Sequence, residues 1–339
     1  MKYYLAVVTG LVLNVSSVML AQADDFIQQR ADPWLLKVQQ SYYFTASVPA
    51  FDRIILRHSD NLAGLAEATE HTIWQAHQSG PMSANIWAPE LHYINGSWFI
   101  YFAAGDVAEP FSIRSYVLRN DNSDPRAGEW QELGRLQTPW DTFNLDVTIF
   151  AHGAKHYAVW AQHPPHEDYN SALYIAELLS PTQLGPATLI SEPTFAWEKQ
   201  GYAVNEGAAV IERHGRLWLT YSASATDANY AMGLLSIASD ADLLTAVNWH
   251  KAAQPVLTSN TALQRFGPGH NSFTQDARGR DIVVYHARRY ADIDGNPLHD
   301  PNRHTRLRWL FWHDDGSPNF APNEPDITAS DLISPLTDR

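Results

Sequence analysis

The chain has 339 residues, 45% of them hydrophobic, no cysteine, and a formal net charge of −14. That length and apolar content are enough for one large core. The missing thiols exclude thiol catalysis, thiolate zinc sites and lipoprotein attachment, and the acidic balance argues against nucleic acid or polyanions and suits a neutral glycan.

Residues 1–23 read as a secretory signal peptide. Lys2 supplies the positive start, LAVVTGLVLNV the apolar run, and AQA at 21–23 a small-x-small cleavage site. Asn14, Ser16 and Ser17 interrupt the apolar run, so a membrane anchor is not expected. The mature protein is expected outside the cytoplasm, secreted or periplasmic, with no membrane partner. An uncleaved N-terminal anchor is the alternative.

From residue 24 onward one unit repeats five times. RADPWLLKVQQSYYFTAS (30–47) has Asp32 and Pro33 ahead of a strand, a turn and a second strand. Proline fits a strand only at its start or edge, which places Asp32 at the rim. ANIWAPELHYINGSWFIYFAAG (84–105) repeats the pattern around Glu90, with Asn95-Gly96 as a hairpin turn. FNLDVTIFAHGAKHYAVWAQ (143–162) repeats it around Asp146. NEGAAVIERHGRLWLTYSAS (205–224) opens on Glu206, and GPGHNSF (267–273) carries His270 between glycines that permit close backbone approach. Residues 314–339 are rich in Pro, Asp, Asn and Ser and read as a surface tail.

The second strand of each unit carries one aromatic, at Phe44, Phe102, Trp160, Tyr221 and Tyr285. A period near 60 residues across the chain predicts an all-β, five-bladed β-propeller forming a single domain over 24–339. Asp32, Glu90, Asp146, Glu206 and His270 recur in the same phase upstream of those aromatics. In a radial arrangement, all five would face one axis. Buried charge is costly unless matched, so the recurrence points to a functional hollow; strand-edge polar residues in water are the bland reading. Carboxylates on different blades suit glycoside hydrolysis by inversion, in which an acid and a base stand apart with room for a water. A third carboxylate nearby raises the acid's proton affinity.

The motifs ADPW with SYYF, WAPE with WFIYF, LDVTIF, NEGAAVIERHGRLWLTYSAS and GPGHNSF, in this order and spacing, resemble glycoside hydrolase family 43 over nearly all of the mature chain. The resemblance implies an inverting hydrolase of arabinofuranosyl or xylosyl linkages. It implies Asp32 as general base, Asp146 as the modulator of the acid's pKa, and Glu206 as general acid. Arg303, in RHT, matches the family's substrate-binding arginine. His270 matches a central histidine that neighbours a calcium ion or a bound water. No cofactor is required, and calcium near His270 is the one metal suggested. Ala208 stands where relatives usually carry proline. YHARRY followed by DPNRHTRLRW is similar to the exo-acting α-L-arabinofuranosidases that trim α-1,5-linked ends, which makes arabinan or arabinoxylan-type oligosaccharides the expected partner. A β-xylosidase, or a propeller that binds glycan without cleaving it, are the alternatives. The opening Asn-Asp-Pro-Asn of the sucrose- and fructan-hydrolysing sister group is absent.

Trp87 is expected either as a stacking wall for the sugar or as core packing. Glu90 is expected to hold substrate or to partner Arg303. His152 with His156 and His163 with His166 have metal-like spacing but no third ligand, and are read as incidental. Arg288 and Arg289 are read as ion-paired structural residues.

Overall fold

The computed structural model describes residues 25–333. The signal peptide expected at 1–23 lies outside them. Five antiparallel sheets of three to five strands follow one another along the chain, and a two-stranded pair, Phe311–Trp312 with Pro318–Asn319, comes after the last. Blade 1 comprises Ala31–Val38, Ser41–Ser47, Arg53–Ser59 and His71–Gln75. Blade 2 comprises Pro81–Ile94, Ser97–Asp106, Glu109–Asn120 and Gln131–Arg135. Blade 3 runs Asn144–His152, Lys155–Gln162 and Ala172–Ser180, with Gln183–Leu184 and Thr188–Ser191 on its outer edge. Blade 4 comprises Asn205–Arg213, Arg216–Ala223, Ala231–Ala238 and His250–Lys251. Blade 5 comprises Phe266–Gln275, Asp281–Arg288 and His304–Trp309.

The first strand of each blade packs against the first strand of the next, and blade 5 returns to blade 1. The ring is closed, which removes the exposed inner edges that an open sheet would leave. Buried apolar residues form one cluster at each blade interface, and the five second-strand aromatics are distributed one per cluster. Phe44 lies between blades 5 and 1, Phe102 between 1 and 2, Trp160 between 2 and 3, Tyr221 between 3 and 4, and Tyr285 between 4 and 5. All five are essentially without exposure, and each such ring contributes about 2–3 kcal/mol by leaving water. The period near 60 is therefore the spacing of these inter-blade wedges.

Both ends of the chain close blade 5. Thr305 exchanges backbone hydrogen bonds with Phe26 and Ile27, and Ile327 donates to the Leu307 carbonyl at 2.8 Å. The segment after residue 314 is thus pinned to blade 5 at Phe320, Asp326 and Ile327, with exposed stretches between them, rather than being the free surface tail expected from its composition. Two buried side chains explain the difference. Phe320 enters the cluster between blades 4 and 5. Asp326 accepts from the Tyr285 hydroxyl at 2.6 Å and from the Arg308 and Arg306 guanidiniums at 3.0 and 3.4 Å. Among the described residues no helix is long and apolar enough to cross a membrane.

Candidate active site

The same irregularity interrupts all five inner strands. Opposite the second strand, one extra residue is inserted at 32–33, 88–89, 146–147, 207–208 and 270–271. The first residue of each pair has positive φ: Asp32 52°, Ala88 43°, Asp146 55°, Gly207 57° and His270 43°. Such bulges bend a strand and re-aim a side chain. Here they direct Asp32, Asp146 and His270 toward the common hollow. Glycine is needed at 207, because a Cβ there would stand 3.1 Å from His270 Cγ.

The bulge also strips an amide of its ladder partner, and a buried amide needs one. In four blades a side chain of the preceding blade accepts from it. Ala88 N donates to Ser47 Oγ at 2.9 Å, Gly207 N to Asp146 Oδ2 at 2.9 Å, His270 N to Ser222 Oγ at 2.7 Å, and Asp32 N to His286 Nδ1 at 3.0 Å. Neighbouring blades are therefore bolted together at the level of the hollow.

Asp32, Asp146, His270 and Arg303 are all buried, and Glu206 keeps partial exposure. His270 Nδ1 lies 3.5 Å from Asp32 Oδ1 and 3.8 Å from Asp146 Oδ2. Those two carboxylate oxygens can be no further apart than the sum of the two distances. Glu206 precedes the amide that Asp146 grips, so the third carboxyl joins the same group. Arg303 Nη1 lies 3.3 Å from Asp32 Oδ1, and its Nε is buried with no protein partner.

The charges separate in a useful way. Burial alone would raise the pKa of Asp32, but Arg303, His270 and His286 outweigh it and hold the carboxyl well below its usual range. Burial lifts Glu206 to about 7, with the Asp32 charge adding to the rise and the Tyr230 hydroxyl opposing it. Burial, then the Glu206 and Asp32 charges, push Asp146 upward as well. The Glu206 charge bears on Asp146, so the two carboxyls titrate as a pair. The Gly207 amide can only donate, so it favours Asp146 as the ionised member and leaves the proton on Glu206.

A model of the family described as "Glycosyl hydrolases family 43" matches residues 26–318. The chain belongs to glycosyl hydrolase family 43. It is 50% identical over 313 residues to "Extracellular exo-alpha-(1->5)-L-arabinofuranosidase" of Streptomyces avermitilis, a match covering 91% of this chain and 64% of that protein. It is 49% identical over 315 residues to "Alpha-L-arabinofuranosidase 43" of Humicola insolens, covering 92% of this chain and 64% of that one. The chain therefore spans just under two thirds of the length of these relatives. A crystal structure of an alpha-L-arabinofuranosidase from Lactobacillus brevis superposes with a TM-score of 0.87 at 50% identity, covering 90% of this chain and 98% of that one.

Within this family-43 propeller the other expected residues fall as follows. Trp87 is buried in an apolar cluster, edge-on to Phe51 at 5.8 Å and tilted against the exposed Phe111 at 6.2 Å. It occupies in blade 2 the position that Glu206 occupies in blade 4, immediately before the bulge. Glu90 does not pair with Arg303, which goes to Asp32. Its oxygen lies 3.1 Å from His92 Nε2, and burial, opposed by a Thr148 hydrogen bond, raises its pKa well above normal. His152 faces Glu212 and His163 faces the Tyr169 carbonyl. Arg288 pairs with Asp300 and Arg289 with Asp25, as structural ion pairs.

Calcium prefers six to eight oxygen ligands. His270 presents a nitrogen, at ion-pair distance from two carboxylates. Among the described residues no group of three or more acidic or histidine side chains is placed to hold a metal. This donor set does not suit calcium bound directly to His270, and no chemical step is routed through a metal.

Two residues of the site escaped the sequence reading. The Tyr230 hydroxyl donates to Glu206 Oε1 at 2.8 Å. His286 accepts from the Asp32 amide and stacks on Tyr230 at 5.7 Å, with ring planes 4° apart. His286 had a legible signal. The residue facing the pre-bulge position is Ser47, Ala103, Ala161 or Ser222 in the other four blades, and an imidazole in the fifth. Tyr230 had none that we can identify.

Proposed function

We propose that the protein is an exported, inverting exo-α-L-arabinofuranosidase that releases terminal arabinose from α-1,5-linked arabinan or arabino-oligosaccharides. The reading is carried by one observation. Two carboxyls in one buried hollow, Asp32 and Glu206, are pushed to opposite protonation states. That is the requirement for a base and an acid working at the same pH. Asp32, ionised and held by Arg303 and His270, takes a proton from the attacking water. Glu206, protonated, gives its proton to the departing glycosidic oxygen. Asp146 keeps that proton on Glu206 until transfer. Arg303 holds Asp32 ionised through Nη1, and Trp87 forms one side of the hollow.

The relatives at about half identity are named for arabinofuranose, which favours that sugar over xylose. The intact acid–base set argues against a purely binding propeller. Export is supported by the N-terminal sequence and by the word extracellular in a relative's name. Exo action is supported by the loop between the last two strands of blade 5. Its residues Leu298 and His299 line a small cavity together with Val48, Pro49 and Phe51 of blade 1 and with Arg303, the His299 and Phe51 rings standing 6.3 Å apart. A product profile on linear arabinan tests the reading. Arabinose alone from the first minutes is expected. A ladder of oligosaccharides means an open cleft and refutes exo action.

A further inference from the structure

We infer that Tyr230 and His286 form a positioning strut, spanning blades 4 and 5, that fixes the acid Glu206 relative to the base Asp32 and selects which oxygen of Glu206 carries the transferable proton. The inference rests on the roles proposed above for Glu206 and Asp32.

The chain of contacts is short and has no loose member. Tyr230 donates to Glu206 Oε1 at 2.8 Å, its ring lies flat on His286, and His286 Nδ1 receives the Asp32 amide at 3.0 Å. Tyr230 and His286 are each 1% exposed. A glycine allows the approach: a Cβ on Gly269 would meet the Tyr230 ring at 2.3 Å.

The other blades show that accepting a bulge amide does not need an imidazole. Ser47 and Ser222, at the positions equivalent to His286, accept theirs through a hydroxyl. What histidine adds over serine is a flat face, and that face is spent on Tyr230. His286 Nδ1 also lies 3.3 Å from Asp32 Oδ1, so the ring meets both the amide and the carboxylate of the base. Burial, opposed by Asp32, holds His286 near 4, so the ring stays neutral during catalysis. Nε2 is buried without a hydrogen-bond partner, so the ring is retained although one polar atom goes unmatched.

The consequence for Glu206 is directional. With Oε1 occupied by the tyrosine hydroxyl, Oε2 is left to hold the proton for the leaving group. When the proton departs, the same hydroxyl stabilises the carboxylate. The groups that bear on Glu206 are Asp32, Asp146, Arg303 and Tyr230. Only Tyr230 touches Glu206 with a hydrogen bond and carries no charge of its own.

The test uses the full chain with Y230F, H286S and the double variant, with E206Q as control. Y230F keeps the ring and removes the donor. H286S keeps an acceptor by analogy with Ser47 and Ser222 and removes the stack. For Y230F, the alkaline limb of kcat/KM moves up by about one pH unit, because the ionised form loses a hydrogen bond. Its kcat on arabinobiose falls about 10- to 100-fold with KM little changed. The loss is smaller on the 4-nitrophenyl arabinofuranoside, whose leaving group needs little protonation. H286S shows the same dependence on leaving group, and the double variant is no worse than the poorer single within about threefold. Equal losses on both substrates, an unmoved alkaline limb, or multiplying effects overturn the strut. If a variant folds poorly, the ratio of its rates on the two substrates, taken on the folded fraction, still decides the matter. Failure of the underlying reading is separable: E206Q would then keep its activity on arabinobiose.

Discussion

Replacing Asp146 with asparagine takes one negative charge from the hollow but keeps an oxygen that can accept from the Gly207 amide. Repulsion between two ionised groups is mutual, so the charge of Asp146 raises Glu206 just as that of Glu206 raises Asp146. Glu206 is adjacent in sequence to the amide that Asp146 holds; at an effective permittivity near 20 a unit charge several ångströms away is worth about 2–3 kcal/mol. That corresponds to about two pH units, reduced to about 1–2 because Glu206 is partly exposed. On the proposed roles Glu206 must be protonated, so wild-type activity should fall as pH rises through about 7. In D146N that alkaline limb is expected about 1–2 units lower. Neutral-pH turnover then drops about 10- to 100-fold, and much of it returns on acidification. The assay is kcat/KM for arabinose release from an α-1,5-arabino-oligosaccharide across the pH range. A limb that stays in place, or moves upward, refutes the claim that Asp146 keeps the proton on Glu206.

Two further substitutions probe the scaffold that creates these positions. D326A should leave the buried Arg308 guanidinium without a carboxylate and Arg306 with Asp25 alone, at a cost of about 3–5 kcal/mol, and lower the melting temperature by about 6–10 °C; an unchanged melt would return the C-terminal segment to the status of a surface tail. G207A forces a left-handed alanine, costing about 1–2 kcal/mol, and presses a methyl against the His270 ring. Its expected signature is a drop of about 2–5 °C in melting temperature together with lost activity, and full activity would mean that His270 does not depend on that close fit.

How much of this was legible in the sequence follows from what repeats. Ring closure needs the same wedge at each blade interface, and a wedge must be large and apolar. Phe44, Phe102, Trp160, Tyr221 and Tyr285 therefore announce the five-fold architecture. The functional positions are set by something finer. The repeating device is the bulge, whose first residue is Asp32, Ala88, Asp146, Gly207 or His270. Glu206 falls one residue before the bulge and Glu90 one after it, so the apparent common phase of five titratable groups holds strictly for only three. A period counted in whole residues cannot reveal this, because nothing in the residue types states where a ladder slips. For the same reason Glu90, expected near Arg303, pairs with His92. The proline- and aspartate-rich C-terminal segment misled for another reason. Asp326 is buried because two arginines from one strand of blade 5 meet it, and such pairings between distant segments leave no local pattern. Tyr230 stands alone in a loop-like stretch and is informative only once Glu206 is seen beside it.

The most direct measurement is the configuration of the sugar at the instant of release, followed by proton NMR on an α-linked arabino-oligosaccharide before mutarotation. An acid and a base on separate blades, with a water between base and sugar, predict the β-anomer as first product. If the first signal is the α-anomer, water has not attacked from the side that Asp32 commands, and the assignment of base and acid to these two carboxyls is contradicted.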